Sequence, residues 1–144
     1  MLQRFRPALC SRSLLTPLLL VVALTAAACT SPTGSSRGAA EAFLDAHYVR
    51  ITLEAARPFV AGLALEKLER EIKLVENNPD AAAAERPRVT YRMEEARDAG
   101  TRAHYAYELT IHPSGMDPFP KLVVLSLTNE NGEWRVTNFS DSDR

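Results

Sequence analysis

The chain has almost no cysteine: Cys10 and Cys29 are the two it contains among 144 residues. That rules out the dense disulfide framework on which many small secreted domains rely. Nor does it carry an excess of charge, with 17 Lys+Arg against 18 Asp+Glu. No basic stripe is visible, so nucleic acid is not an expected partner. Its apolar runs fall short of the roughly 20 residues that a helix needs to cross ~30 Å of hydrocarbon. There is no nucleophile elbow, no glycine-rich phosphate loop and no His/Cys spacing suited to a metal, so neither a metal nor a cofactor is expected.

What is there begins with residues 1–28. Arg4, Arg6 and Arg12 form a positive start with no acid to offset them. An apolar stretch from Leu14 to Leu24 follows, interrupted by Thr16 and Pro17, and it ends in Ala26, Ala27 and Ala28. Positive start, short apolar middle and small-residue end are the tripartite pattern of a secretory signal peptide. Ala26-Ala27-Ala28-Cys29 resembles the lipobox of bacterial lipoprotein precursors, which implies removal of residues 1–28 and lipidation of Cys29 as the new first residue. The resemblance departs from the family at Ala26, where leucine is preferred, and Ala26-x-Ala28 also satisfies an ordinary signal-peptidase site at the same bond. Thr30 stands where many lipoproteins retained at the inner membrane carry aspartate. The resemblance therefore implies the cell envelope, and in a host with two membranes the periplasmic face of the outer one.

Removing residues 1–28 leaves 116 residues with 14 Lys+Arg against 18 Asp+Glu, because three of the arginines go with the leader. Cys10 leaves with it, so no intramolecular disulfide remains possible and the core alone must hold the fold. Residues 29–38 are rich in Ser, Thr and Gly and read as a flexible linker. Residues 39–140 read as one domain, and residues 141–144 as a charged tail that frays.

Within the domain, Ala40, Phe43, Leu44, His47, Tyr48 and Ile51 recur at helical spacing. Thr52 is placed to cap a short second helix that Pro58 confines. Leu65, Leu68, Ile72 and Val75 make a third helical stripe, with Glu66–Arg70 and Glu69–Lys73 as i,i+4 pairs on its wet face. Asn77-Asn78-Pro79 stops it, and residues 80–88 are a connector.

The second half alternates with period two. Val89, Tyr91 and Met93 oppose Thr90, Arg92 and Glu94, so Glu94 and Glu95 point to opposite faces. Ala103, Tyr105, Tyr107, Leu109 and Ile111 share one face of the next strand, against His104, Ala106, Glu108, Thr110 and His112. Residues 121–128 are apolar on both faces, Asn129-Glu130-Asn131-Gly132 is a hairpin signal, and residues 134–140 make the last strand. Helices followed by four strands predict an α+β fold with N-terminal helices packed on a curved antiparallel sheet.

The chain here resembles the nuclear-transport-factor-2-like superfamily of cystatin-like, cone-shaped domains. Residues 39–44 (AAEAFL), 53–56 (LEAA) and 132–136 (GEWRV) carry the resemblance, which is greatest to small lipid-anchored members of undescribed function. Enzymes of that superfamily, polyketide-cyclase-like and isomerase-like proteins among them, place Asp, His or Tyr inside the cone. By that analogy the catalytic candidates are His47, Tyr105 and Tyr107, with Tyr48 and Tyr91 beside them. Each reads more simply as packing, with a hydroxyl or ring nitrogen at a wet edge. His104 and His112 lie about 26 Å apart on one strand and cannot share a metal.

Two function classes remain. One is a non-catalytic envelope module, held to the membrane by a lipid anchor, that binds a small apolar ligand in the cone or a protein on its sheet. The other is a small cofactor-independent lyase, isomerase or hydrolase using His47 or a tyrosine. The sheet face away from the helices presents Ala106 and one row of residues 121–128 with a mixed polar surround, which suits a homodimer or an envelope protein partner.

Overall fold

The computed structural model describes residues 31–78, 80 and 85–144. Residues 1–28, read above as a leader, Cys29 and the alanine run 81–84 lie outside the described residues. A single 3-10 turn, Pro32–Gly34, precedes helix α1, Ser36–Leu44. Helix α2 is Leu53–Ala56, helix α3 is Gly62–Glu76, and four strands follow: β1 Arg88–Ala99, β2 Arg102–His112, β3 Phe119–Glu130 and β4 Glu133–Asp143. The strands pair antiparallel in the order β1-β2-β3-β4. One face of this sheet is covered by the helices, as the residue pattern predicts.

Helix α1 starts three residues before Ala39, inside the stretch read as linker. The Ser35 hydroxyl accepts from the Gly38 N–H at 3.0 Å and caps the helix, satisfying one of its orphan donors. Gly38 allows the preceding turn to fold back closely: a Cβ there would sit 2.5 Å from the Pro32 carbonyl oxygen. Ser36, Ala39, Ala40, Phe43 and Leu44 form the buried row.

After Leu44 the helix widens into one π turn, Asp45–Val49, in which the Arg50 N–H bonds the Asp45 carbonyl at 2.8 Å. Ile51 then takes a positive φ of 50°, an outlying conformation for a β-branched residue. Thr52 does not cap α2 through its side chain; its hydroxyl donates back to the Ala46 carbonyl at 3.3 Å.

In α3 the buried row is Ala64, Leu68 and Ile72, at strict i, i+4, i+8 spacing. Leu65 and Val75, expected in that stripe, are 37% and 39% exposed. The row nearest the sheet runs along Ala64 because Ala61, at the helix start, is tied to β4 by its N–H to the Val136 carbonyl at 2.9 Å. Glu69 bonds Arg57 at 2.9 Å rather than the expected Lys73.

Two bulges shape the sheet. In β1, Met93 pairs with Tyr107 and Glu95 with Ala106, so Glu94 is an extra residue. In β4, Asn138 pairs with Ser126 and Val136 with Leu127, so Thr137 is extra. Each bulge adds local twist and reverses the side-chain alternation beyond it. Consequently Glu94 and Glu95 share the outer face, contrary to the strict alternation expected, while Ala96 and Asp98 move to the helix side. The second bulge brings Phe139 into the core behind Trp134 and Val136. Asn131 and Gly132, at φ 56° and 89°, form the β3–β4 turn at the expected place. Residues 141–143 do not fray: Asp141 pairs in register with Val123, Ser142 with Leu122 and Asp143 with Lys121.

Candidate functional site

The sequence candidates fall on the helix-covered side of the sheet. Phe43, Leu44, Leu68, Tyr107, Leu109, Val123, Leu125 and Val136 have no appreciable exposed surface. Five elements, α1, α3, β2, β3 and β4, converge on this core and each contributes apolar side chains to it.

His47 sits in the π turn. Its Nε2 lies 2.6 Å from Glu71 Oε2 on α3. A carboxylate only accepts, so the ring proton sits on Nε2 and points at Glu71. The ring stacks on Phe43 at 5.1 Å and meets Tyr48 and Phe139 at 4.4 and 5.1 Å. Its Nδ1 is buried with no hydrogen-bond partner among the described residues, as is the Tyr48 hydroxyl. Burial, with Asp141 and Glu71 adding negative potential, pushes the Tyr48 phenol well above its ordinary range.

Tyr105 is 5% exposed. Ser36 Oγ donates to Asp98 Oδ2 at 2.7 Å, which uses its one proton, so the Tyr105 hydroxyl is the donor in the 2.8 Å bond to Ser36 Oγ. Tyr107 lies edge-on to Tyr91 at 5.7 Å, and its hydroxyl is buried without a hydrogen-bond partner among the described residues. Burial, with Glu41 adding to it, raises its phenol far above 10. Tyr91 donates to Asp45 Oδ1 at 3.1 Å; burial and that neighbouring carboxylate push it up to about 12. Phenols held in this direction are donors at neutral pH and do not act as bases.

His47 is therefore not joined to Tyr105 or Tyr107. The histidine belongs to the far end of α1 and pairs with α3. Tyr105 is anchored at the helix start, 11 residues earlier, or roughly 16 Å along a helix axis. The residues that do partner the candidates, Glu71, Ser36 and Asp98, were not singled out from sequence. Glu71 reads as one more charge on a wet helix face, and Ser36 as linker. No group of three or more His, Cys, Asp or Glu side chains suited to a metal exists among the described residues. None of their helices is long and apolar enough to cross a membrane.

The outer face of the sheet is different. Ala106 pairs with Val124, Glu108 with Leu122 and His104 with Ser126, giving adjacent outward rows on β2 and β3. Val124 is 39% exposed. Glu95, Arg97, His104, Ala106, Leu122 and Val124 line a shallow hollow of about 470 Å³. Arg97 lies 2.5 Å from Glu95 on its rim, and the His104 Nδ1 is 3.2 Å from the Ser126 hydroxyl on its floor. A smaller notch of about 290 Å³ lies between α2 and α3, lined by Ile51, Leu53, Ile72 and Val75 with Glu54 and Glu76.

No protein-family model matches the chain, and no curated protein matches it. Solved structures do. A candidate calcium/calmodulin-dependent protein kinase type II association domain from Thiobacillus denitrificans superimposes with a TM-score of 0.57 at 12% identity, covering 76% of this chain and 95% of that one. A nuclear-transport-factor-2-like protein of unknown function from Shewanella oneidensis gives 0.54 at 14% identity, covering 73% and 93%. The chain has the nuclear-transport-factor-2-like fold. At these identities the likeness carries the arrangement of helices on a curved sheet and no site residue.

Proposed function

We propose that the chain is a lipid-anchored envelope protein whose nuclear-transport-factor-2-like domain is a non-catalytic assembly module, and that its outer sheet face binds a second copy of itself. The contrast between the two faces carries this reading. The centre of the concave face is filled by Tyr107, Leu109, Val123 and Leu125, which have no accessible surface, whereas the outer face holds Ala106, Leu122 and Val124 in an open hollow. An apolar ligand in the cone would have to displace Tyr107 or Leu109, so the outer face is favoured over it.

Charge argues for a second copy over another protein. A two-fold interface must be complementary to itself. Glu95 and Arg97 stand side by side on the rim of the hollow, so the patch offers both signs and can meet its own image. A strongly charged partner would call for one sign. One fold neighbour is described as a candidate association domain, which supports this reading and supplies no residue of the interface. The anchor rests on Ala26-Ala27-Ala28-Cys29.

The test uses the full chain, expressed with its leader. Val124→Cys in isolated membranes should cross-link to a dimer with a short bis-maleimide; the parent chain and Glu66→Cys on exposed α3 should not. Adding Ala106→Glu should abolish the band. Absence of a Val124→Cys dimer at every expression level would overturn self-association. The amino-terminal peptide should carry acyl chains on Cys29, and Cys29→Ser should leave an unprocessed precursor or release the protein. An unmodified Cys29 at the mature terminus would overturn the anchor.

The enzymatic alternative, a cofactor-independent lyase, isomerase or hydrolase, has the His47–Glu71 pair in its favour, since a histidine oriented by a carboxylate is how a general base is positioned. Against it, the free Nδ1 is buried among three aromatic rings. His47→Gln with dimer formation intact is the outcome expected of an assembly module.

A further inference from the structure

We infer that Arg144 is a strap over one end of the outer face of the sheet, beside Leu122, in the unassociated chain; this rests on the self-association reading above. Arg144 follows the last residue of β4, at the opposite side of the sheet from β1. Its guanidinium nonetheless reaches carboxylates on β1 and β2. One nitrogen donates to Glu108 Oε2 at 2.9 Å and to Glu94 Oε1 at 3.1 Å, and the other donates to Glu94 Oε2. To arrive there the side chain crosses the outer side of β3 near Leu122, whose register partners are Glu108 and Ser142.

Three observations make this a gate. The carboxylates are gathered by the β1 bulge, which turns Glu94 outward beside Glu108. The apolar row beneath is covered unevenly: Leu122, under the crossing, is half-buried, while Val124 is 39% exposed. Finally, Glu94 and Glu108 also have Arg92, at 3.4 and 3.2 Å, so they keep a cation when Arg144 leaves. Opening the strap uncovers Leu122 without stranding a charge. Ion pairs this exposed hold weakly and are screened by salt.

A second copy could use the whole row only when the strap is open on both protomers. The apparent affinity is then reduced by the open fraction of each. Removing the arginine should raise association on the order of tenfold, since that reduction enters twice.

The experiment compares initial cross-linking rates of Val124→Cys in the full chain, in membranes, with and without Arg144→Ala. The rate should rise about tenfold in Arg144→Ala. Added salt should shrink the ratio between the rates of Arg144→Ala and the Arg144 chain toward one. A Glu94→Gln, Glu108→Gln chain should behave like Arg144→Ala. If Val124→Cys cross-links and Arg144→Ala leaves its rate unchanged, the strap is refuted while self-association stands. A slower rate in Arg144→Ala would make the arginine part of the contact and also refute the strap. If neither chain cross-links, the outer-face reading itself fails.

Discussion

Ser36 and Asp98, 62 residues apart, share a 2.7 Å hydrogen bond that ties the first turn of α1 to the end of β1. The bond exists because Glu94 is an extra residue: the bulge moves Asp98 from the outer face to the helix side. It also completes the satisfaction of the buried Tyr105 hydroxyl, which donates to the same serine oxygen.

Ser36→Ala should therefore cost more than a serine in a linker would. It leaves the Tyr105 hydroxyl buried without its acceptor, a loss of about 1–3 kcal/mol. Urea unfolding measures it, and amide exchange at residues 36–40 should accelerate. A change within a few tenths of a kcal/mol would mean that the helix start is not bound as described.

Tyr105→Phe and Tyr107→Phe should differ in sign or size. The Tyr105 hydroxyl is hydrogen-bonded, and removing it should destabilise by about 1 kcal/mol. The Tyr107 hydroxyl is buried without a partner among the described residues, so its removal should be neutral or stabilising by up to about 1 kcal/mol. Equal losses in the two variants would contradict the assignment.

Alkaline pH tests the raised phenols. A group whose folded pKa lies above its unfolded value contributes stability that is whole below the unfolded value and is lost as pH rises toward the folded one. For Tyr91 that window runs from 10 to about 12. Stability should be insensitive to these tyrosines at neutral pH and fall through that window, and Tyr91→Phe should make the fall shallower. Phenolate absorbance should show Tyr91 titrating late, and earlier in Asp45→Asn, which keeps a neighbour but removes its charge.

Deleting Glu94 tests the bulge. Regular alternation would return, Asp98 would face outward and its bond to Ser36 would be lost, along with part of the β1–β2 register. The cost should exceed about 2 kcal/mol. Glu94→Ala keeps the extra residue and removes only exposed ion pairs, so it should lie within about 1 kcal/mol of the parent. Similar effects from deletion and substitution would show that the strand does not depend on the extra residue.

Much of the fold was legible because its signals are local. The alternation of β2, with Ala103, Tyr105, Tyr107 and Leu109 on one side, is borne out by their burial. Asn131-Gly132 marked its hairpin because few residues accept two positive φ angles in succession. Residues 40, 43 and 44 marked a helix. The candidate site was less legible. His47 was visible as a histidine on an apolar stripe, but its partner Glu71 lies 24 residues away on another helix.

The sequence by itself determined the kinds of element, their order and the α+β class, since helical and strand periodicities are written in neighbouring residues. Residues 1–28 and Cys29 carry the leader-like pattern, which needs no fold to be read. Tertiary structure alone decided which face of the sheet the helices cover, where Glu94 and Thr137 interrupt the alternation, and that Ser36 belongs to the domain. Those choices depend on partner strands and helices far along the chain, and a one-residue bulge reverses every side chain beyond it. That reversal set Asp98 against Ser36 and Glu94 beside Glu108 under Arg144.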